Sequence, residues 1–115
     1  MDGRGPRGQA GGGHRILKPI AWGSVTWAAG VPSWLTTSAL GGEFGARAPE
    51  ASGAGPVLTA LALDRPHDKT RLHVQVSPQG SGYAYEEPAI RTGNVILVYT
   101  ANTSSPFAVT VYEEQ

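Results

Sequence analysis

The strongest constraint on this chain lies in its C-terminal half, where apolar runs of strand length recur and clusters of turn formers separate them. Val57, Leu61 and Leu63 share one face of an extended segment with Thr59, while small residues take the other face. Leu72, Val74 and Val76 alternate with Arg71, His73, Gln75 and Ser77, the half-buried antiparallel pattern. Tyr83-Ala84-Tyr85 offers a short strand with both rings on one side, and Glu86-Glu87-Pro88 ends it. Asn94 to Thr100 is apolar on both faces, which predicts a central strand in a sheet covered on either side. Ala101 to Ser105 is then expected to form a hairpin connection to Phe107, Val109 and Val111, which alternate with Ala108, Thr110 and Tyr112.

The N-terminal half is less regular. Gly23 to Ala29 alternates small polar with large apolar residues until Gly30 and Pro32 break it, so a strand is expected over 22 to 29. In Ile16-Leu17-Lys18-Pro19-Ile20 the proline removes a backbone donor, which suits an edge strand or an extended strap. Gly41 to Pro56 is too rich in small breakers for a helix or strand, and Phe44 is its only large apolar residue. If that loop is ordered, Phe44 anchors it, either onto its own domain or into a neighbour. Trp22, Trp27 and Trp34 supply large side chains that either fill the core or an interface, or offer flat faces for stacking sugars.

No helical period occurs, and six or seven short strands predict an all-β fold, an antiparallel β-sandwich or jelly-roll-like barrel with an extended N-terminal arm. At 115 residues one domain is expected: a flexible Gly/Arg-rich arm over 1–21, then a single sandwich over 22–115 with a long irregular loop at 41–56. Without cysteine, neither a disulfide framework nor a thiolate metal site is available, so oligomerisation becomes a natural source of stability. Formal charge is zero but unevenly placed: Arg4, Arg7, Arg15 and Lys18 against Asp2 leave residues 1–18 at +3 and the body at −3. Such opposition favours an arm lying on a neighbouring copy, although a disordered basic tail explains it equally well. No run reaches the length of a membrane span, and the N-terminus lacks the apolar core of a secretory signal, so a soluble protein not exported by a standard signal is expected.

Chemistry-bearing patterns are sparse. Asp64, His67 and Asp68 form the one titratable cluster, the raw material of a metal site or general base, but a Pro-containing polar loop explains it as a solvated turn. His73 and His14 are placed elsewhere, so no zinc pattern emerges. There is no Gly-x-Ser-x-Gly elbow, and the Glu86-Glu87 and Glu113-Glu114 pairs point to opposite faces of an extended chain. Four positive charges without interleaved aromatics make nucleic acid an unlikely partner. No catalytic residue, metal or cofactor is expected.

Gly93-Asn94-Val95-Ile96-Leu97-Val98-Tyr99-Thr100 and Pro106-Phe107-Ala108-Val109-Thr110-Val111-Tyr112-Glu113 resemble a closing hairpin common in small virion structural domains of tailed bacteriophages. These are β-sandwich proteins that decorate capsids or cap tail fibres. The resemblance covers about a third of the chain and carries no diagnostic motif. It implies a non-enzymatic homo-oligomer, a trimer in the favoured case, in a virion assembled in the host cytoplasm, with the arm reaching along a capsid lattice and no role at a membrane. Partner contacts are expected from Arg4, Arg7, Arg15, Ile16, Leu17, Trp22, Trp34 and Phe44. The alternative is a carbohydrate-binding module of tail-fibre or receptor-binding type, stacking sugars on Trp22, Trp34, Tyr83 or Tyr85.

Overall fold

A computed structural model describes residues 16–45, 47–53 and 56–115. Nine strands run through them: β1 (Leu17–Ala28), β2 (Val31–Trp34), β3 (Gly41–Gly42), β4 (Glu50–Ser52), β5 (Val57–Ala62), β6 (Leu72–Pro78), β7 (Ala84–Glu86), β8 (Val95–Thr100) and β9 (Phe107–Glu114). Short 3-10 turns at Lys69–Arg71 and Pro88–Ile90 are the helical elements among the described residues. All pairing is antiparallel. The first sheet has the order β2-β1-β9-β6, with β3 also on β1, and the second has the order β4-β5-β8-β7. The fold is a β-sandwich.

Period-2 alternation decides which side chains meet between the sheets. Ala21 and Val25 of β1, Leu61 of β5, Ile96 and Val98 of β8, and Phe107, Val109 and Val111 of β9 form the core. Phe107 is fully buried, and removing a ring of that size from a core leaves a cavity costing roughly 3–5 kcal/mol. Thr59 sits in the inward row of β5 with its hydroxyl buried and lacking a hydrogen-bond partner. Thr59→Val keeps the shape and removes that orphan, so we expect a gain of about 1 kcal/mol in urea unfolding. An unchanged or lower midpoint would contradict the assignment.

Several details differ from the sequence-based expectation. β1 begins at Leu17, inside the stretch expected to be arm, and pairs Leu17 with Glu114 and Lys18 with Glu113 of β9. Register shifts between Pro19 and Ala21, so the chain absorbs its proline at an irregularity and continues. Gly30 does not end the sheet. Ala29 and Gly30 both take positive φ, 52° and 78°, and form the two-residue turn of a hairpin that starts β2. The loop at 41–56 contains β3 and β4, and Phe44 is 5 % exposed within the core of its own domain.

The expected closing hairpin is also absent, because β8 and β9 belong to different sheets. Residues 101–106 carry the chain across. Asn102 Oδ1 accepts from Ser104 N, Ser104 Oγ and Ser105 Oγ, while Trp27 Nε1 donates to the Ser105 carbonyl at 2.8 Å. Held this way, β9 pairs with β1 instead of folding back on β8. β8 is central, as expected, but its second face is only half-buried, since no third layer covers it among the described residues.

Candidate functional site

The His67 side chain is held between two carboxylates, with 3 % of it exposed. Its partners are not Asp64 and Asp68, which are exposed in the same loop. Nδ1 lies 2.7 Å from Glu113 Oε2, and Nε2 lies 2.9 and 3.0 Å from the two oxygens of Glu43. Glu43 also accepts from Arg65 Nε at 3.1 Å. Lys18, opposite Glu113 in the β1–β9 register, adds a second cation to the neighbourhood.

Three chain segments converge here, and two glycines allow it. Gly42 takes φ +66°, and an added Cβ would lie 2.2 Å from the Ile20 carbonyl; this tight turn lets Glu43 N donate to that same carbonyl at 2.8 Å. Gly93 comes so near the His67 backbone that a Cβ would lie 2.4 Å from its carbonyl oxygen, and Gly93 O accepts from His67 N at 2.7 Å.

Protonation follows from the geometry. Burial alone disfavours the His67 cation, but hydrogen bonds to Glu43 and Glu113 and their negative charges outweigh it, so the pKa is raised above the ordinary 6.5. Burial likewise works against the Glu43 carboxylate, and bonds to His67 and Arg65 overcome it, lowering its pKa below 4.5. A doubly protonated ring donates from both nitrogens, and a neutral ring donates from only one. Both nitrogens being occupied by carboxylates, His67 has no lone pair to offer a substrate.

A second ionic contact joins β6 and β7. Arg91 donates from Nε and Nη2 to the two oxygens of Glu86, each at 2.7 Å, and from Nη1 to the Leu72 carbonyl at 2.6 Å. Glu86 ends β7 in one sheet and Leu72 begins β6 in the other, so this guanidinium fastens the two sheet edges together.

Outside these clamps, the surface is where the expected binding residues must be sought. Arg4, Arg7 and Arg15 lie outside the described residues. Ile16 and Leu17 are 75 % and 43 % exposed at the start of β1. Among the described residues, no strand lies beside the edge of β1 away from β9 along Leu17 to Pro19, because β3 pairs at Ala21 and Trp22 and β2 from Val25 onward. Trp22 points to the outer face, half-buried, with Gly41 packed against its indole. It lines a groove of about 410 Å³ with Pro19, Ser24, Ser38, Ala108 and Thr110.

Trp34 and Phe44 come together, Phe44 in the core and Trp34 partly buried against it. Their rings stack with centroids 4.8 Å apart, and Trp34 Nε1 donates to Arg47 O at 2.9 Å. Tyr83 and Tyr85 are 45 % and 47 % exposed, and Tyr85 continues onto Tyr99 with centroids 5.4 Å apart. Comparison with protein-family models, with curated proteins and with solved structures finds no match.

Proposed function

We propose that this chain is a non-enzymatic virion structural protein that decorates a repeating protein lattice, in the manner implied by its resemblance to phage decoration proteins. One observation supports this reading above the others. The start of β1 presents exposed Ile16 and Leu17 beside a strand edge that no described strand pairs, where a neighbouring protein can add backbone hydrogen bonds to apolar contact. Pro19 limits that edge to a short stretch, which suits a weak contact repeated many times. The polar groups that might have served chemistry are instead engaged in holding the sandwich together. The test is co-sedimentation with particles purified from the source of the protein. Leu17→Asp should lower occupancy at least tenfold while circular dichroism is unchanged, and undiminished occupancy would remove this edge from the mechanism.

A second reading, carbohydrate binding, is favoured by the Trp22 groove, where an indole lies among the hydroxyls of Ser24, Ser38 and Thr110 without a charged group. Sugars stack on such rings and bond to such hydroxyls. Trp34 does not contribute, since its ring is stacked on Phe44. Tryptophan fluorescence should then shift on titration with glycans and lose that response in Trp22→Phe; a flat titration eliminates the sugar reading.

A further inference from the structure

The exposed start of β1 is gripped from two sides. β9 flanks it on one side, pairing Leu17 with Glu114 and Lys18 with Glu113, and β3 flanks it on the other, pairing Ala21 with Gly42. His67 belongs to neither flank. It comes from the loop between β5 and β6, and its ring joins the two: Nδ1 reaches Glu113 of β9, and Nε2 reaches Glu43, the residue after β3. Backbone bonds fix the same segments around the ring. Glu43 N donates to the Ile20 carbonyl, Gln115 N donates to the Ile16 carbonyl at 2.9 Å, and His67 N donates to Gly93 O. The ring is thus a crosspiece over residues 16–20, the segment that carries exposed Ile16 and Leu17.

We propose that His67 is a proton-operated latch for the start of β1: protonated on both nitrogens it holds that edge in place for a partner, and on losing one proton it lets the edge go. This rests on the lattice reading, because the edge it controls is the one assigned there to a neighbouring protein. Ring chemistry supplies the two states. An imidazolium donates to both carboxylates, whereas a neutral ring donates to one and turns a lone pair toward the other, so the bridge breaks whichever nitrogen keeps its hydrogen. The charged groups around the ring do not replace it. Arg65 of the same loop bonds to Glu43, and Lys18 of β1 stands opposite Glu113, so each is placed at one carboxylate and neither spans β1 as the ring does. On the β6 side His73 bonds to Glu114 and Arg71 donates to the Glu114 carbonyl, and before β8 Arg91 is held by Glu86. Asp64, Asp68 and Lys69 are exposed in the loop. Burial works against the cation, and the bonds and charges of Glu43 and Glu113 outweigh it, so the ring titrates above 6.5. The latch is therefore closed at about pH 6 and opens as pH rises through the folded value. By linkage, a partner that binds only the ordered edge raises the affinity of His67 for its proton in turn.

Hydrogen exchange on the free full chain tests the latch without any partner. After correction for the intrinsic pH dependence of exchange, protection of the Gln115 amide and its β1–β9 neighbours should fall roughly tenfold or more as pH rises through the midpoint that NMR gives for the His67 ring. Amides of β5 and β8 in the other sheet should keep theirs. Glu43→Gln should move the step to lower pH by the amount it moves the ring's own midpoint, and His67→Leu should show low protection at both ends of the range. Occupancy on purified particles should drop across the same step. Protection that is flat with pH, or a step indifferent to Glu43→Gln, would overturn the latch. A step that tracks the ring while occupancy stays unchanged supports the latch and sinks the lattice reading at this edge instead.

Discussion

Replacing Arg91 with alanine is expected to destabilise the protein by about 3–5 kcal/mol, one of the largest effects of any surface-reaching side chain here. The reason is what remains behind. Glu86 has 5 % of its side chain exposed, and its two oxygens are both bonded to the guanidinium. Truncation leaves that carboxylate buried and unpaired, and it also frees the Leu72 carbonyl on the facing sheet. Arg91→Lys should recover only part of the loss, because an ammonium cannot make the two parallel bonds and reach the carbonyl as well. The double variant Arg91→Met/Glu86→Leu should recover most of it, since no charge is then stranded. Urea unfolding of the four proteins gives the comparison. A single variant within about 1 kcal/mol of wild type would show that the sheet edges are held by packing alone.

The second large effect is pH-dependent. His67→Leu should cost about 3 kcal/mol near pH 6, because Glu43 and Glu113 then face each other without the cation between them. That cost should shrink as acid neutralises the carboxylates. The wild-type profile follows from the two displaced pKa values. His67 titrates higher when folded, so its contribution is complete below 6.5 and is lost as pH rises through the folded value. Glu43 titrates lower when folded, so its contribution is complete above 4.5 and is lost as pH falls through the folded value. Stability should therefore be greatest between about 4.5 and 6.5, and His67→Leu should lose the decline on the alkaline side. A wild-type midpoint that climbs steadily from pH 5 to 8 would contradict the clamp.

The strands were legible where side-chain alternation was strong. Val57–Ala62, Leu72–Pro78, Val95–Thr100 and Phe107–Glu114 match the sequence reading closely, because burying one face of each leaves no freedom of register. β3 and β4 were not legible, being two and three residues long in a glycine-rich stretch where partners rather than pattern decide the conformation. Nor could the sequence separate a hairpin from a crossing between sheets at 101–106, since both need turn formers. The difference lies in a contact 78 positions away, between Trp27 and Ser105.

The polar clamps were hidden for a related reason. Neighbouring carboxylates drew attention to Asp64 and Asp68, whereas the true partners of His67 come from residues 43 and 113. One signal was available. Glu113 continues the inward row of Phe107, Val109 and Val111, and a carboxylate at an inward position requires a cation from elsewhere in the fold. Glu86 carries the same signal beside buried Ala84. The expected contact residues divided along similar lines: Phe44 was drawn into the core with Trp34 stacked against it, while Ile16 and Leu17 are exposed at a strand end.

What unites these findings is that the buried polar groups bind the sandwich together. An NMR titration of the His67 ring examines this at its most exposed point. The account predicts an imidazolium protonated on both nitrogens at pH 6.5, with a pKa above that value, which reverts toward 6.5 in Glu43→Gln. A wild-type ring that titrates at or below 6.5, or a neutral ring with one nitrogen free at that pH, would contradict it.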